Sequence, residues 1–221
     1  MNSFHKIFAQ ILILSAFLGL GSCNENQMTF APPVVENTIE NKVTNIGRSS
    51  WQKPQLVIEK LGDVSNKTIA DIGAGTGYFT FRMAFKAKKI IATDIDTNMI
   101  AIINEFAVNL PTEIQNKIET RLVKADDPMI KKGECDIIVI INTLAYIENQ
   151  QEYLSKLHSV MNAGDTLMVV DFKSSNISGI AQDYKIIQAD KVQEILKAAG
   201  FIDPVVDTKT LDYQYIITAK A

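Results

Sequence analysis

The sequence predicts an α/β fold, a mostly parallel sheet with helices on both faces. Three observations predict it. Short apolar runs rich in β-branched residues, at 68–71, 88–93 and 135–141, alternate with stretches whose apolar residues recur at helical spacing. The run Cys135-Asp136-Ile137-Ile138-Val139-Ile140-Ile141 is almost continuously apolar, as a strand buried on both faces must be. A glycine turn, Gly73-Ala74-Gly75-Thr76-Gly77, follows the first run and opens a helix. Glycines at alternate positions let the backbone turn tightly and approach a ligand, with the free N–H groups of the helix aimed at it.

At 221 residues, 47% of them apolar, the chain suits one domain plus a tail. Its net charge of −3 lacks the basic footprint of a nucleic-acid binder, so no nucleic-acid partner is expected. Cys23 and Cys135 fall in different regions, which excludes a disulfide framework. His5 and His158 are far apart and have no ligand-like neighbours, so no metal is expected.

Residues 1–23 read as a signal peptide. A short, weakly basic start precedes a mostly apolar run at 7–20, too short to span a bilayer. Leu20-Gly21-Ser22-Cys23 resembles the bacterial lipobox, which implies acylation of Cys23 and a lipid anchor in the bacterial cell envelope, on the periplasmic or outer-membrane face. If the leader is not processed, the protein stays cytoplasmic. Residues 24–46 are polar and proline-punctuated and read as a flexible tether. The domain proper is expected over 47–221.

Within it, a helix opens around Arg48 with Pro54 in its first turn and closes at Gly62, with Leu56, Val57, Ile58 and Leu61 inward. Trp51 anchors this helix in the core or packs over a ligand. The first crossover helix covers 79–86. The second strand ends at Asp94-Ile95-Asp96, about 20 residues past the glycine turn, where a carboxylate can accept both hydroxyls of a ribose. Asp94 takes that position, followed by Ile95, and Asp96 caps the helix over 98–108. That helix turns Met99, Ile100, Ile103 and Phe106 inward. The third strand, 119–123, is followed by Asp126-Asp127-Pro128. An acidic group there can accept from an adenine amino group, or Asp-Asp-Pro can simply form a solvated Asx turn. The fourth strand ends at Asn142 and Thr143, either of which can bond the ligand. An amphipathic helix at 150–161, a strand at 166–170, a polar loop at 174–183 and a helix at 190–199 follow. Runs at 201–207 and 213–219 close the chain as an antiparallel pair. Asp165, in the turn Asn162-Ala163-Gly164-Asp165 ahead of the strand at 166–170, is expected to distort that turn.

The spacing G-x-G-x-G preceded by Asp71 differs from the G-x-G-x-x-G of dinucleotide sites, and a carboxylate there suits a cationic ligand. Asp71-Ile-Gly-Ala-Gly-Thr-Gly77 resembles the first motif of class I S-adenosylmethionine (SAM)-dependent methyltransferases, and four further motif positions follow in order. From about Trp51 to the end, the chain is similar to that family's small bacterial members. The resemblance implies a Rossmann-like three-layer sandwich with a seven-stranded sheet of order 3-2-1-4-5-7-6 and one antiparallel strand. It implies SAM as cofactor and methyl transfer to a small-molecule acceptor by in-line displacement. Gly73, Ala74, Gly75 and Gly77 would seat the methionine part and Asp71 would meet its amino end, directly or through water. Asp94 and Ile95 would hold the ribose, Asp126 or Asp127 the adenine, and Asn142 the amino-acid end or the substrate.

Many relatives place a histidine or an acid just beyond the fourth strand. Here Ala145 and Tyr146 follow, and no catalytic base is assigned. SAM is made in the cytosol, whereas a lipoprotein faces away from it. A second reading therefore stays open, a membrane-tethered, non-catalytic nucleoside-binding domain that keeps the fold. The glycine spacing and the terminal strand pair disfavour an NAD-dependent oxidoreductase.

Overall fold

The β-branched runs form seven strands, β1 (Thr68–Ile72), β2 (Lys89–Asp94), β3 (Ile118–Leu122), β4 (Ile137–Ile141), β5 (Thr166–Phe172), β6 (Ile202–Asp207) and β7 (Gln214–Lys220). The structure is a computed structural model that describes residues 45, 47–174 and 184–221. The expected leader with Cys23, the tether apart from Asn45, and nearly all of the polar loop at 174–183 lie outside the described residues. The sheet order is β3-β2-β1-β4-β5-β7-β6. β1 to β5 pair in parallel, and β7 runs antiparallel to both β5 and β6, so it is the one reversed strand. This is the Rossmann-like arrangement expected of the sequence.

Among the described residues seven α-helices pack around the sheet, α1 (Arg48–Gln52), α2 (Pro54–Glu59), α3 (Tyr78–Ala84), α4 (Thr97–Ala107), α5 (Thr112–Gln115), α6 (Gln150–Val160) and α7 (Ala189–Ala198). Successive side chains of a strand point to opposite faces, so each central strand feeds two cores. Ile69 and Val139 join Phe81, Ile103 and Phe106 on the side of α3 and α4. Ala70 and Ile138 join Leu154, Leu157 and Leu196 on the side of α6 and α7. All five residues of β4 are buried, which is why its sequence shows no alternation.

Some boundaries differ from expectation. The single opening helix is broken at Lys53, which sits at φ +47°. The residue before a proline is pushed out of helical backbone, so Pro54 starts a new helix instead of continuing one. Val57 and Ile58 are buried, but Leu56 is 41% exposed. In α4, Ile103 and Phe106 are buried, while Met99 and Ile100 are half-buried. β5 extends through Phe172, because Asp171 and Phe172 still find partners in Tyr215 and Gln214 of β7. Asp165 does not distort its turn. Gly164 takes the left-handed backbone at φ +89°, and the Asp165 carboxylate accepts the Asn162 N–H at 2.7 Å.

Ile138 is fully buried in the central strand. Ile138→Ala should lower the free energy of unfolding by about 2–5 kcal/mol in urea denaturation, and Leu56→Ala by no more than about 0.5 kcal/mol.

Candidate functional site

The site is built where β1 and β2 end. The N–H groups of Gly73 and Ala74 both donate to the Thr93 carbonyl, each at 2.9 Å. The Gly75 N–H donates to Asp94 Oδ2 at 2.8 Å, and Asp94 Oδ1 accepts from the Asp96 N–H at 3.0 Å. The glycine turn is thus tied to the tip of β2. Gly73, Gly75 and Gly77 all have positive φ, the left-handed region that glycine enters without strain. A Cβ at Gly73 would lie 2.4 Å from Thr143 Oγ1, and one at Gly77 2.5 Å from the Phe81 ring. At Gly75 a Cβ would meet nothing within 4 Å, so that position faces open space.

Beside the turn lies a cleft of about 410 Å³. It is lined by Gly73, Asp94 and Ile95 at the ends of β1 and β2, by Val123 and Asp126 after β3, by Asn142 and Thr143 after β4, and by Tyr146, Glu152 and Lys156 from the stretch that leads into and forms α6. Small-molecule sites span roughly 300–1,000 Å³, so a compact ligand fits. Of the residues singled out in the sequence, Gly73, Asp94, Ile95, Asp126 and Asn142 line this cleft, while Asp71, Ala74, Gly75, Gly77 and Asp127 do not. Ala74 packs against the core, and Gly77 begins α3.

Asp71 sits behind the turn, 3% exposed, and accepts a hydrogen bond from Thr80 Oγ1 at 2.6 Å. Burial pushes its carboxyl up to about 6, against the lowering effects of the Thr80 hydroxyl and the nearby Arg48 charge. Arg48 is stacked 4.1 Å from the centre of the Tyr78 ring. Asp127 has turned to its own loop, where Oδ1 accepts the Met129 N–H at 2.8 Å in an Asx turn. Asp96 caps α4 through the Asn98 N–H at 2.8 Å, as expected. Trp51 packs on Phe172, with ring centroids 5.6 Å apart.

Several residues of the site were missed in the sequence. Asn149, Glu152, Tyr153 and Lys156 form one stripe that borders the cleft. Their helical spacing was a usable signal, but the Glu152–Lys156 pair, at 3.1 Å, reads as a solvated helix face. Lys156 Nζ also donates to the Asp126 carbonyl at 3.0 Å, joining α6 to the loop after β3. Arg48, Asn45 and Gln214 gave no such signal. Asn45 is buried and donates to Thr76 Oγ1 at 3.3 Å, although the sequence places it in the tether. Gln214 donates to Asn142 Oδ1 across the sheet. Among the described residues no group of three or more His, Cys, Asp or Glu side chains is placed to hold a metal ion.

A glycine turn bonded to an acidic strand tip, at the carboxyl ends of a sheet of this order, defines a class of protein. Residues 63–200 match the family model for the methyltransferase domain, and the chain belongs to that family. It is 31% identical over 122 residues to the demethylmenaquinone methyltransferase of Tropheryma whipplei, covering 55% of this chain and 48% of that protein. It is 32% identical over 82 residues to the dimethyladenosine transferase of Schizosaccharomyces pombe, covering 36% of this chain and 27% of that protein. The chain thus matches about a quarter to a half of the length of these curated relatives. A solved SAM-dependent methyltransferase from Aquifex aeolicus has the same fold, with a TM-score of 0.73, 19% identity, and coverage of 84% of this chain and 97% of that one.

Asp71 gives a pH test. Folded, its carboxyl takes up a proton near pH 6, against about 4 in an unfolded chain. The folded state binds more protons between those values, so this group's contribution to stability is full below about pH 4 and is lost as pH rises through 6. Relative to Asp71→Asn, the parent protein should lose up to about 1.4 kcal/mol of unfolding free energy per pH unit across that window, read by urea denaturation. A flat difference would mean that Asp71 ionises normally.

Proposed function

We propose that the chain is a SAM-dependent methyltransferase acting on a small-molecule acceptor. The observation that carries this reading is the carboxylate of Asp94, fixed in the lining of the cleft by the Gly75 N–H. Each Asp94 oxygen accepts one backbone N–H and keeps a lone pair for a ribose hydroxyl. The left-handed Gly75 has open space where a side chain would stand. Val123 and Asp126 offer an apolar face and an acceptor to a flat base carrying an amino group. These residues fit the cofactor that the family membership implies.

When bound, SAM supplies a methyl group already activated on a sulfonium sulfur. The chain is left to bind, orient and exclude water. Asp94 would hold the ribose and Asp126 the adenine. The glycine turn seats the methionine part, with Asp71 adding negative potential from behind it. Asn142, just past β4, lines the same cleft and would meet the amino-acid end of the cofactor or the acceptor.

The lipobox-like Leu20-Gly21-Ser22-Cys23 supports a further proposal, that Cys23 is acylated and the domain is held at a bacterial envelope membrane. Mass spectrometry of the mature N-terminus should find a diacylated cysteine at residue 23; an unmodified Met1 would remove the anchor from the proposal.

Calorimetry with S-adenosylhomocysteine tests the cofactor site. The parent protein should bind it, and Asp94→Ala should bind about 10- to 100-fold more weakly, the cost of one to two bonds to a charged group. Equal affinity in the two proteins would overturn the ribose assignment.

A further inference from the structure

Glycines shape the turn and also leave it little to be held by. A glycine loses the most conformational freedom on ordering and has no side chain for a neighbour to grip. Thr76, between Gly75 and Gly77, and Tyr78, just after Gly77, carry the polar and aromatic groups by which the turn can be held from outside. One short N-terminal unit takes both. Asn45 is 1% exposed, and its Nδ2 donates to Thr76 Oγ1 at 3.3 Å. Arg48 stacks 4.1 Å from the centre of the Tyr78 ring, and Arg82 of α3 lies 3.9 Å from the same ring centre.

This unit is braced within itself. Arg48 Nη1 donates to Asn45 Oδ1 at 3.3 Å, and the Arg48 backbone N–H donates to the Asn45 carbonyl at 2.9 Å. Arg48 Nε donates to Oε1 of Gln52, which is fully buried at the end of α1. The guanidinium therefore has a fixed place against the turn.

Arg48 also faces the acid behind the turn. The polar and charged groups around the Asp71 carboxyl are Thr80 on α3, which donates at 2.6 Å, Arg48 on α1 and Asp94 at the tip of β2. β4 sets Val139 opposite Asp71, and its five residues are all apolar. Arg48 and Asp94 act in opposite senses. The cation favours the ionised form of Asp71, and the second carboxylate disfavours it. Arg48 is the cation of that set.

We propose that Asn45 and Arg48 are positioning residues for the cofactor. Asn45 acts through Thr76 to hold the glycine turn in its binding shape. Arg48 acts through Asp71 to keep a negative charge behind the turn, where the amino end of the methionine part is seated. Both work without touching the ligand. This inference rests on the methyltransferase reading for the identity of that ligand.

S-adenosylhomocysteine is the probe, titrated by calorimetry into the full chain between pH 5 and 8, with urea denaturation of each variant run beside it. The ligand's own titration is common to all variants and cancels in the comparison. Affinity of the parent protein should rise through about pH 6 as Asp71 ionises, and Asp71→Asn should remove that rise. Arg48→Met and Arg48→Gln both delete the charge and should move the rise up by about one pH unit. Arg48→Lys keeps the charge and should leave the rise at the parent's pH. Asn45→Ala should weaken binding about threefold to tenfold at every pH without moving the rise. The Asn45→Ala/Thr76→Val double variant should bind no more weakly than Asn45→Ala, since the two side chains act as one contact.

A rise at the same pH with and without the Arg48 charge would make Arg48 a purely structural residue and overturn its part of the proposal. Unchanged affinity in Asn45→Ala, or additive losses in the double variant, would overturn the part of Asn45 even if no neutral Arg48 variant folds. A parent protein that does not bind S-adenosylhomocysteine at any pH would overturn the methyltransferase reading, and this inference with it.

Discussion

The bond from the Gly75 N–H to the Asp94 carboxylate is the constraint on which the site depends. It joins two strand ends that the chain reaches 19 residues apart. The Thr93 carbonyl reinforces it by accepting from both Gly73 and Ala74. Together these bonds decide where the glycine turn sits and hence where α3 begins. They also hold Asp94 in the lining of the cleft, where the residue is 9% exposed. A carboxylate held by backbone donors does not have to be ordered when a ligand arrives, which reduces the entropic cost of binding.

The walls of the cleft are braced by charges set away from it. Arg121 on β3 bonds both oxygens of Glu134, at 2.9 and 3.0 Å, and also Glu119 and the Met129 carbonyl. The paired guanidinium draws the Glu134 carboxyl down to about 2. This fork ties the stretch after Asp126 to β3, and Lys156 on α6 donates to the Asp126 carbonyl. On the far side, Lys173 and Lys53 hold the turn between β6 and β7 against the body of the domain. Gln214 follows that turn, so its place relative to Asn142 is fixed by contacts far from either residue in sequence.

The glycine turn, the apolar strands, the Asp96 cap and the acidic tip at Asp94 could all be read from the chain, because each is a local pattern. Strand alternation, helix spacing and capping are enforced within a few residues. The strand order came with the family resemblance, since alternating strands and helices alone are compatible with several sheet orders. The two adjacent acids Asp126 and Asp127 could not be told apart in the sequence. In the folded loop, one borders the cleft and the other closes an Asx turn.

By itself, then, the chain determined its elements and the acidic, glycine-lined mouth of its cleft, because neighbouring residues are enough to enforce backbone geometry. Tertiary structure alone decided that Asp71 would be shut behind the turn beside Arg48, and that Gln214 would meet Asn142 across 72 residues of sequence. The physical reason is that burial and partnership depend on which strands become neighbours. That is settled by the packing of both faces of the whole sheet, and no short stretch of residues encodes it.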